Sequence, residues 1–249
     1  MKIIIPYDLA KMSGKELAVY SYIYTSGLAA HSSDTLYLNS WEIGKNVGIT
    51  PHEIKYIVDK LAELPELSIQ KQGSCRYTVL RSELYAPRAS FVAVEFTDIN
   101  TILQYATAMR YNLLLFLCWV LKKVDYDAEV DGHKYFVTQM PLAYFQKVMG
   151  VSVSSILQYV SLLERMGILY VFRVGNMPHH NNLMGLRANK NLIDAWAELN
   201  GLFRKSDLPI NYRELGLKYK AAVNGKKYSK EELDEMRRGI QIGRALCRE

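Results

Sequence analysis

Two stretches of this chain, offset by 102 residues, carry the same helix, turn and helix punctuation, and that duplication restricts the fold more than any other feature. The clearer copy lies in Thr138 to Phe172, "TQMPLAYFQKVMGVSVSSILQYVSLLERMGILYVF". Leu142, Phe145, Val148 and Met149 recur at helical spacing, Gly150 interrupts, and Ile156, Tyr159, Val160 and Leu163 resume the period after Ser152. Glycine can take the left-handed conformation that leaves the first helix, and the Ser152 hydroxyl can cap the second. Gly167 then predicts a stop, and "ILYVF" is β-branched and aromatic enough for a strand.

The offset pairs Ile43 with Phe145, Val47 with Met149, Gly48 with Gly150, Ile49 with Val151, Thr50 with Ser152, Ile54 with Ile156, Val58 with Val160 and Leu61 with Leu163. Helix, turn, helix and strand are the centre of a winged helix, so the pattern predicts two in tandem. The expected fold is mainly α with small β-wings, an α+β arrangement. Winged-helix domain 1 is expected over residues 1–86, domain 2 over 87–190, and a basic helical C-terminal extension over 191–249. The first boundary rests on "YAPRAS", where Pro87 and small residues break periodicity.

Along the chain, "KIIIP" reads as a strand, and Ser13 with Glu16 as a reciprocal helix cap. Leu17, Tyr20, Ile23 and Tyr24 form the buried stripe of that helix. A loop through His31 leads to "TLYL", expected to pair with the wing strands. The second helix covers Ser40 to Val47. Thr50, Pro51 and Glu53 then specify the start of a third, with Glu53 available for a capping bond. "LSIQKQGSCRYTVL" is the first wing, turning at Gly73. "FVAVEF" reads as extended, Thr97 or Asp98 as the cap of a helix through Tyr105, and Arg110 to Val124 as the first helix of domain 2. Leu192, Ala195, Trp196 and Leu199 form one face of a helix packing back on that domain.

Composition narrows the function class. Hydrophobic content of 49% and charged content of 22% are those of an ordinary globular protein, expected to be soluble and cytoplasmic. The most apolar run, Leu113 to Leu121, is far short of the roughly 20 residues that span a bilayer, so no membrane partner is expected. Cys75, Cys118 and Cys247 are too scattered for a zinc site. The acids Asp125, Asp127, Glu129 and Asp131 lack the terminal glutamate of a calcium loop, and the adjacent His179 and His180 lack ligand spacing. No metal, no cofactor and no enzymatic activity are expected: there is no Walker loop, and none of the 18 tyrosines stands beside the histidine pair a nickase nucleophile needs.

The net charge of +6 is mostly C-terminal, with 14 basic against 9 acidic residues after Gly175. That surplus suits an anionic partner, here double-stranded DNA. The third helix presents His52, Lys55, Tyr56 and Lys60, and the wing adds Lys71 and Arg76 for phosphates. The helix after Ser152 presents Ser154, Ser155 and Gln158; small residues permit close approach, and glutamine pairs with adenine's major-groove edge. Arg165, Arg173, the loop "GNMPHHNN" as second wing, and Arg187 on the returning strand would supply its charge. Cations and aromatics interleave from Phe203 to Tyr228, as in surfaces that grip nucleic acid.

The chain resembles the replication initiators of plasmids and related mobile elements, many built of tandem winged helices, and winged-helix proteins of phages and conjugative elements. The resemblance covers Leu17 to Arg187 and is closest over "YFVTQMPLAYFQKVMGVSVSSILQYVSLLERMGILYVFR". It implies sequence-specific binding to repeated origin DNA, replication proteins as partners, and a homodimer formed through one winged domain. A transcriptional regulator, or a module recruiting replication partners through its winged helices, is the alternative.

Overall fold

A computed structural model describes residues 1–6, 12–29, 34–64, 67–84, 91–105, 108–124, 129–130, 133–134, 136–139, 142–175, 182–202 and 204. Helices combine with small antiparallel sheets, an α+β arrangement, and the chain divides into two units, Met1–Lys122 and Lys123–Glu249.

The first unit opens with β1 (Lys2–Pro6), followed by α1 (Gly14–Ala29). The start of α1 is the cap spelled by the sequence: Ser13 N donates to Glu16 Oε2 at 2.8 Å and Glu16 N to Ser13 Oγ at 3.3 Å. β2 (Thr35–Asn39) runs into α2 (Ser40–Val47), then Gly48, then α3 (Pro51–Leu61). The three helices pack on one another, burying Leu17, Ile23, Ile43, Val47, Ile54 and Leu61. β3 (Ile69–Gln72) and β4 (Arg76–Leu80) form a hairpin, and β2 joins the free side of β4, giving the order β2-β4-β3. The short α4 (Arg81–Leu84) precedes β5 (Phe91–Glu95), which pairs antiparallel with β1, Ile3 opposite Val94 and Ile5 opposite Val92. Then come α5 (Phe96–Leu103) and α6 (Met109–Lys123).

Two expectations change here. The start of α5 carries no side-chain cap; Glu95 occupies that position, ahead of the expected Thr97 or Asp98, and Phe96 N is taken instead by the Met1 carbonyl at 2.8 Å. The unit boundary falls at Lys122–Lys123, whereas "YAPRAS" marked 86–87. The β1–β5 pairing and the first turn of α6, the helix expected to open domain 2, account for the shift. Tyr111 Oη donates to the carbonyls of Val47 and Gly48 at 2.8 and 2.9 Å, and Arg110 Nη2 donates to Gly48 O at 3.2 Å.

The second unit contains the two-residue strands β6 (Glu129–Val130) and β7 (His133–Lys134). α7 (Leu142–Met149), Gly150 and α8 (Val153–Arg165) follow, and the chain turns at Gly167 into the hairpin of β8 (Leu169–Phe172) and β9 (Leu183–Leu186). Thr138 bridges to Met184 on the other side of β9. Arg187–Asn189 form a 3-10 turn leading to α9 (Lys190–Leu199). α9 lays Ile193 and Ala197 on Tyr170, Phe172 and Leu183, so these residues of the expected extension belong to the core of the second unit. Tyr170 Oη donates to Asp194 Oδ1 at 2.6 Å, and Arg204 Nη2 pairs with Asp194 Oδ2 at 2.6 Å, tying the helix to the hairpin. The loops through His31 and "YAPRAS", the residues Asp125, Asp127 and Asp131, His179 and His180, and the basic aromatic stretch apart from Arg204 lie outside the described residues.

Candidate nucleic-acid interface

Each unit presents a helix on a turn built the same way. Gly48 and Gly150 both sit in the left-handed region, at φ 71° and 65°. Thr50 accepts from Glu53 N at 3.3 Å and Ser152 from Ser155 N at 3.1 Å, each hydroxyl capping its helix at the third amide. The buried stripes Ile54, Val58 and Leu61 of α3 and Ile156, Val160 and Leu163 of α8 then fix which faces turn outward.

On α3 the outward residues include His52 and Tyr56, whose rings meet edge to face at 5.2 Å, and the half-exposed Lys55. Tyr56 is 67% exposed. Lys55 reaches toward the turn between β3 and β4: the hydroxyls of Ser74 and Ser40 and then the Lys55 ammonium hold the Cys75 thiol below its usual range. Glu53 does not make the reciprocal cap its position suggested. Lys15 of α1 takes its carboxylate at 2.5 Å, which offsets the negative charge at the start of α3.

The other candidates of this unit are divided between surfaces. Lys60 Nζ is paired with Glu16 Oε1 at 2.8 Å, and Lys71 Nζ with Asp59 Oδ2 at 3.4 Å. Lys71 stands opposite Tyr77, on the face of the sheet turned toward α3, whereas Arg76 stands in the row of Asn39 and Gln72 on the opposite face. The two cations of this hairpin therefore do not share one phosphate track. The two most exposed aromatics among the described residues of this unit are not among the expected site residues: Tyr37, 74% exposed, and Trp41, 69% exposed. The signal for Trp41 was present, because Ser40, Ile43, Gly44 and Val47 define the buried face of α2 and leave position 41 off it.

In the second unit, Ser154 and Gln158 are exposed and Ser155 half-buried on α8. Ser152 Oγ lies 2.7 Å from Ser154 Oγ and 2.9 Å from Ser155 Oγ, so three hydroxyls cluster at the helix start. Leu157, 51% exposed, and Val153, 37% exposed, share that surface. Arg165, in the last turn, is exposed. Arg173 is engaged by both carboxylate oxygens of Glu164, with Nη1 to Oε1 at 3.0 Å; that pairing holds its guanidinium protonated above even its ordinary range. Arg187 is exposed but lies past β9, in the 3-10 turn, where its amide donates to Ile168 O at 2.8 Å. It is not on the returning strand.

No helix among the described residues is long and apolar enough to cross a membrane. No protein-family model matches the chain, and no curated protein matches it.

Proposed function

We propose that the chain is a sequence-specific binder of double-stranded DNA built from two tandem winged helices, acting as a replication initiator of a plasmid or related mobile element. The observation that carries this reading is the repeated turn: a left-handed glycine, a hydroxyl cap two residues on and a helix with one face buried and the other turned outward, each followed by a strand hairpin. Such a helix enters the major groove with its N-terminal residues at the base edges. In the first unit His52, Lys55 and Tyr56 occupy that part of α3; in the second, Ser154 and Gln158 occupy it on α8. Affinity comes from phosphate neutralisation, supplied by Lys55 on α3 and Arg165 on α8.

Fluorescence anisotropy with random duplex and with duplexes selected from the element's own origin, at two salt concentrations, tests the proposal. Tight, salt-dependent binding that separates the two pools supports it. Gln158→Ala should relax sequence preference; an equal loss on every sequence removes Gln158 from base reading, and no binding at low salt overturns the proposal.

A second reading, a protein-interaction module recruiting replication proteins or a second copy, is favoured by particular pairings. Lys60, Lys71 and Arg173 are each neutralised by an acid, and α8 exposes Leu157 and Val153. Self-association insensitive to salt, without DNA retention, would select it.

A further inference from the structure

The sheet of the first unit has two unlike faces. Leu36, Leu38, Tyr77 and Val79 point inward and are buried, as strand alternation requires. On the outer face the register sets Tyr37 beside Thr78 and Thr78 beside Gln70, and in the next row Asn39 beside Arg76 and Arg76 beside Gln72. The rows stand about 7 Å apart along the strands. A groove of about 640 Å³ runs across this face, lined by all six residues. Tyr37 is 74% exposed within it, and Arg76 is exposed without an ion pair among the described residues.

We propose that this face binds single-stranded nucleic acid, with one base stacked on the Tyr37 ring and an adjoining phosphate held by Arg76. A tyrosine ring offers a π-face that any base can cover, and a guanidinium offers paired donors to phosphate oxygens. Gln70 and Gln72 each carry a donor and an acceptor, which suits the base edges that only an unpaired strand presents, whereas Asn39 Oδ1 is taken by Glu42 N at 2.8 Å as the cap of α2. A duplex keeps its bases stacked inside and gives an exposed ring nothing to cover. A protein-binding patch would be apolar at its centre, whereas here the row beside Tyr37 is amide, hydroxyl and guanidinium. The site stands apart from the duplex proposal: Lys71, on the inner face, reaches Asp59 of α3, so α3 lies on the other side of the sheet.

The test uses the full chain and two probes, labelled oligothymidylate, which forms no duplex, and random duplex DNA. Wild type is expected to bind oligothymidylate. Tyr37→Ala is expected to weaken that binding about tenfold, Tyr37→Phe to restore it, and neither to change duplex binding. An iodouracil-substituted oligonucleotide, irradiated in the complex, is expected to crosslink to Tyr37. Absence of oligothymidylate binding at low salt, or equal binding by wild type and Tyr37→Ala, overturns this proposal and leaves the duplex reading intact. Loss of duplex binding alone overturns the duplex reading and leaves this one standing.

Discussion

The two turn glycines have nearly the same backbone conformation and very different surroundings, so the same substitution should cost different amounts at each. A Cβ added at Gly150 meets nothing within 4 Å. Gly150→Ala therefore carries only the penalty of an L side chain in the left-handed region, about 1–2 kcal/mol. A Cβ at Gly48 would fall 2.0 Å from Arg110 Nη2 and 2.9 Å from Cζ. The guanidinium can swing away, but only by giving up its bonds to Gly48 O at 3.2 Å and to Tyr111 Oη at 2.9 Å. A hydrogen bond from a charged donor is worth about 1.5–3 kcal/mol, which brings Gly48→Ala to about 3–4 kcal/mol and the gap between the two variants to about 2 kcal/mol. Urea unfolding measures both. Trp119 fluorescence reports the first unit and Trp196 the second, each in a background lacking the other tryptophans. In an Arg110→Ala background the gap should close. Equal losses at the two glycines, or a gap that survives removal of Arg110, would show that the guanidinium does not set the cost at Gly48.

Further outcomes follow from the same geometry. Burial first, and then the bond to Asp194, raise the Tyr170 phenol above its ordinary value of 10.0, so the folded chain keeps a proton that the unfolded chain releases. Its contribution is full below pH 10.0 and declines as pH rises from there; Tyr170→Phe should unfold more easily at neutral pH, by about 1 kcal/mol, and show a shallower alkaline decline by circular dichroism. Burial pushes the Cys118 thiol up to about 12, whereas neighbouring hydroxyls lower Cys75. In a Cys247→Ser background a disulfide reagent should therefore label Cys75 rapidly in the native protein and Cys118 only on unfolding; a native rate unchanged by Cys75→Ser would contradict this. Glu164→Gln should release Arg173, and if the second unit lies on duplex DNA, the slope of log K against log salt should steepen by about 0.9. An unchanged slope would place Arg173 away from phosphate.

Local chemistry was the legible part of the chain. The Ser13–Glu16 box, the Thr50 and Ser152 caps and the glycine turns each lie within a few residues of the helices they begin or end, so their physics is written in adjacent letters. The pairings that reshape the candidate interface span long separations. Lys60 meets Glu16, 44 residues away, and Arg110 meets Gly48, 62 residues away; neither partner carries a local mark of the other. The same holds for Arg76 and Lys71. Both read as wing cations, and only the register shows that they face opposite sides of the sheet. Pro87 broke the local pattern as a boundary would, but the pairing of β5 with β1 carries the first unit past it.

That pairing bears on how the protein is made. β1 leaves the ribosome well before its partner strand, so Ile3 and Ile5, fully buried in the folded chain, remain without that partner while the helices between β1 and β5 are synthesised. An apolar strand with unpaired backbone groups is a template for the wrong neighbour. The nascent first unit is therefore at its most aggregation-prone before Phe91–Glu95 emerges, and substitutions that slow translation or weaken β5 should reduce the yield of soluble protein more than their effect on equilibrium stability would predict.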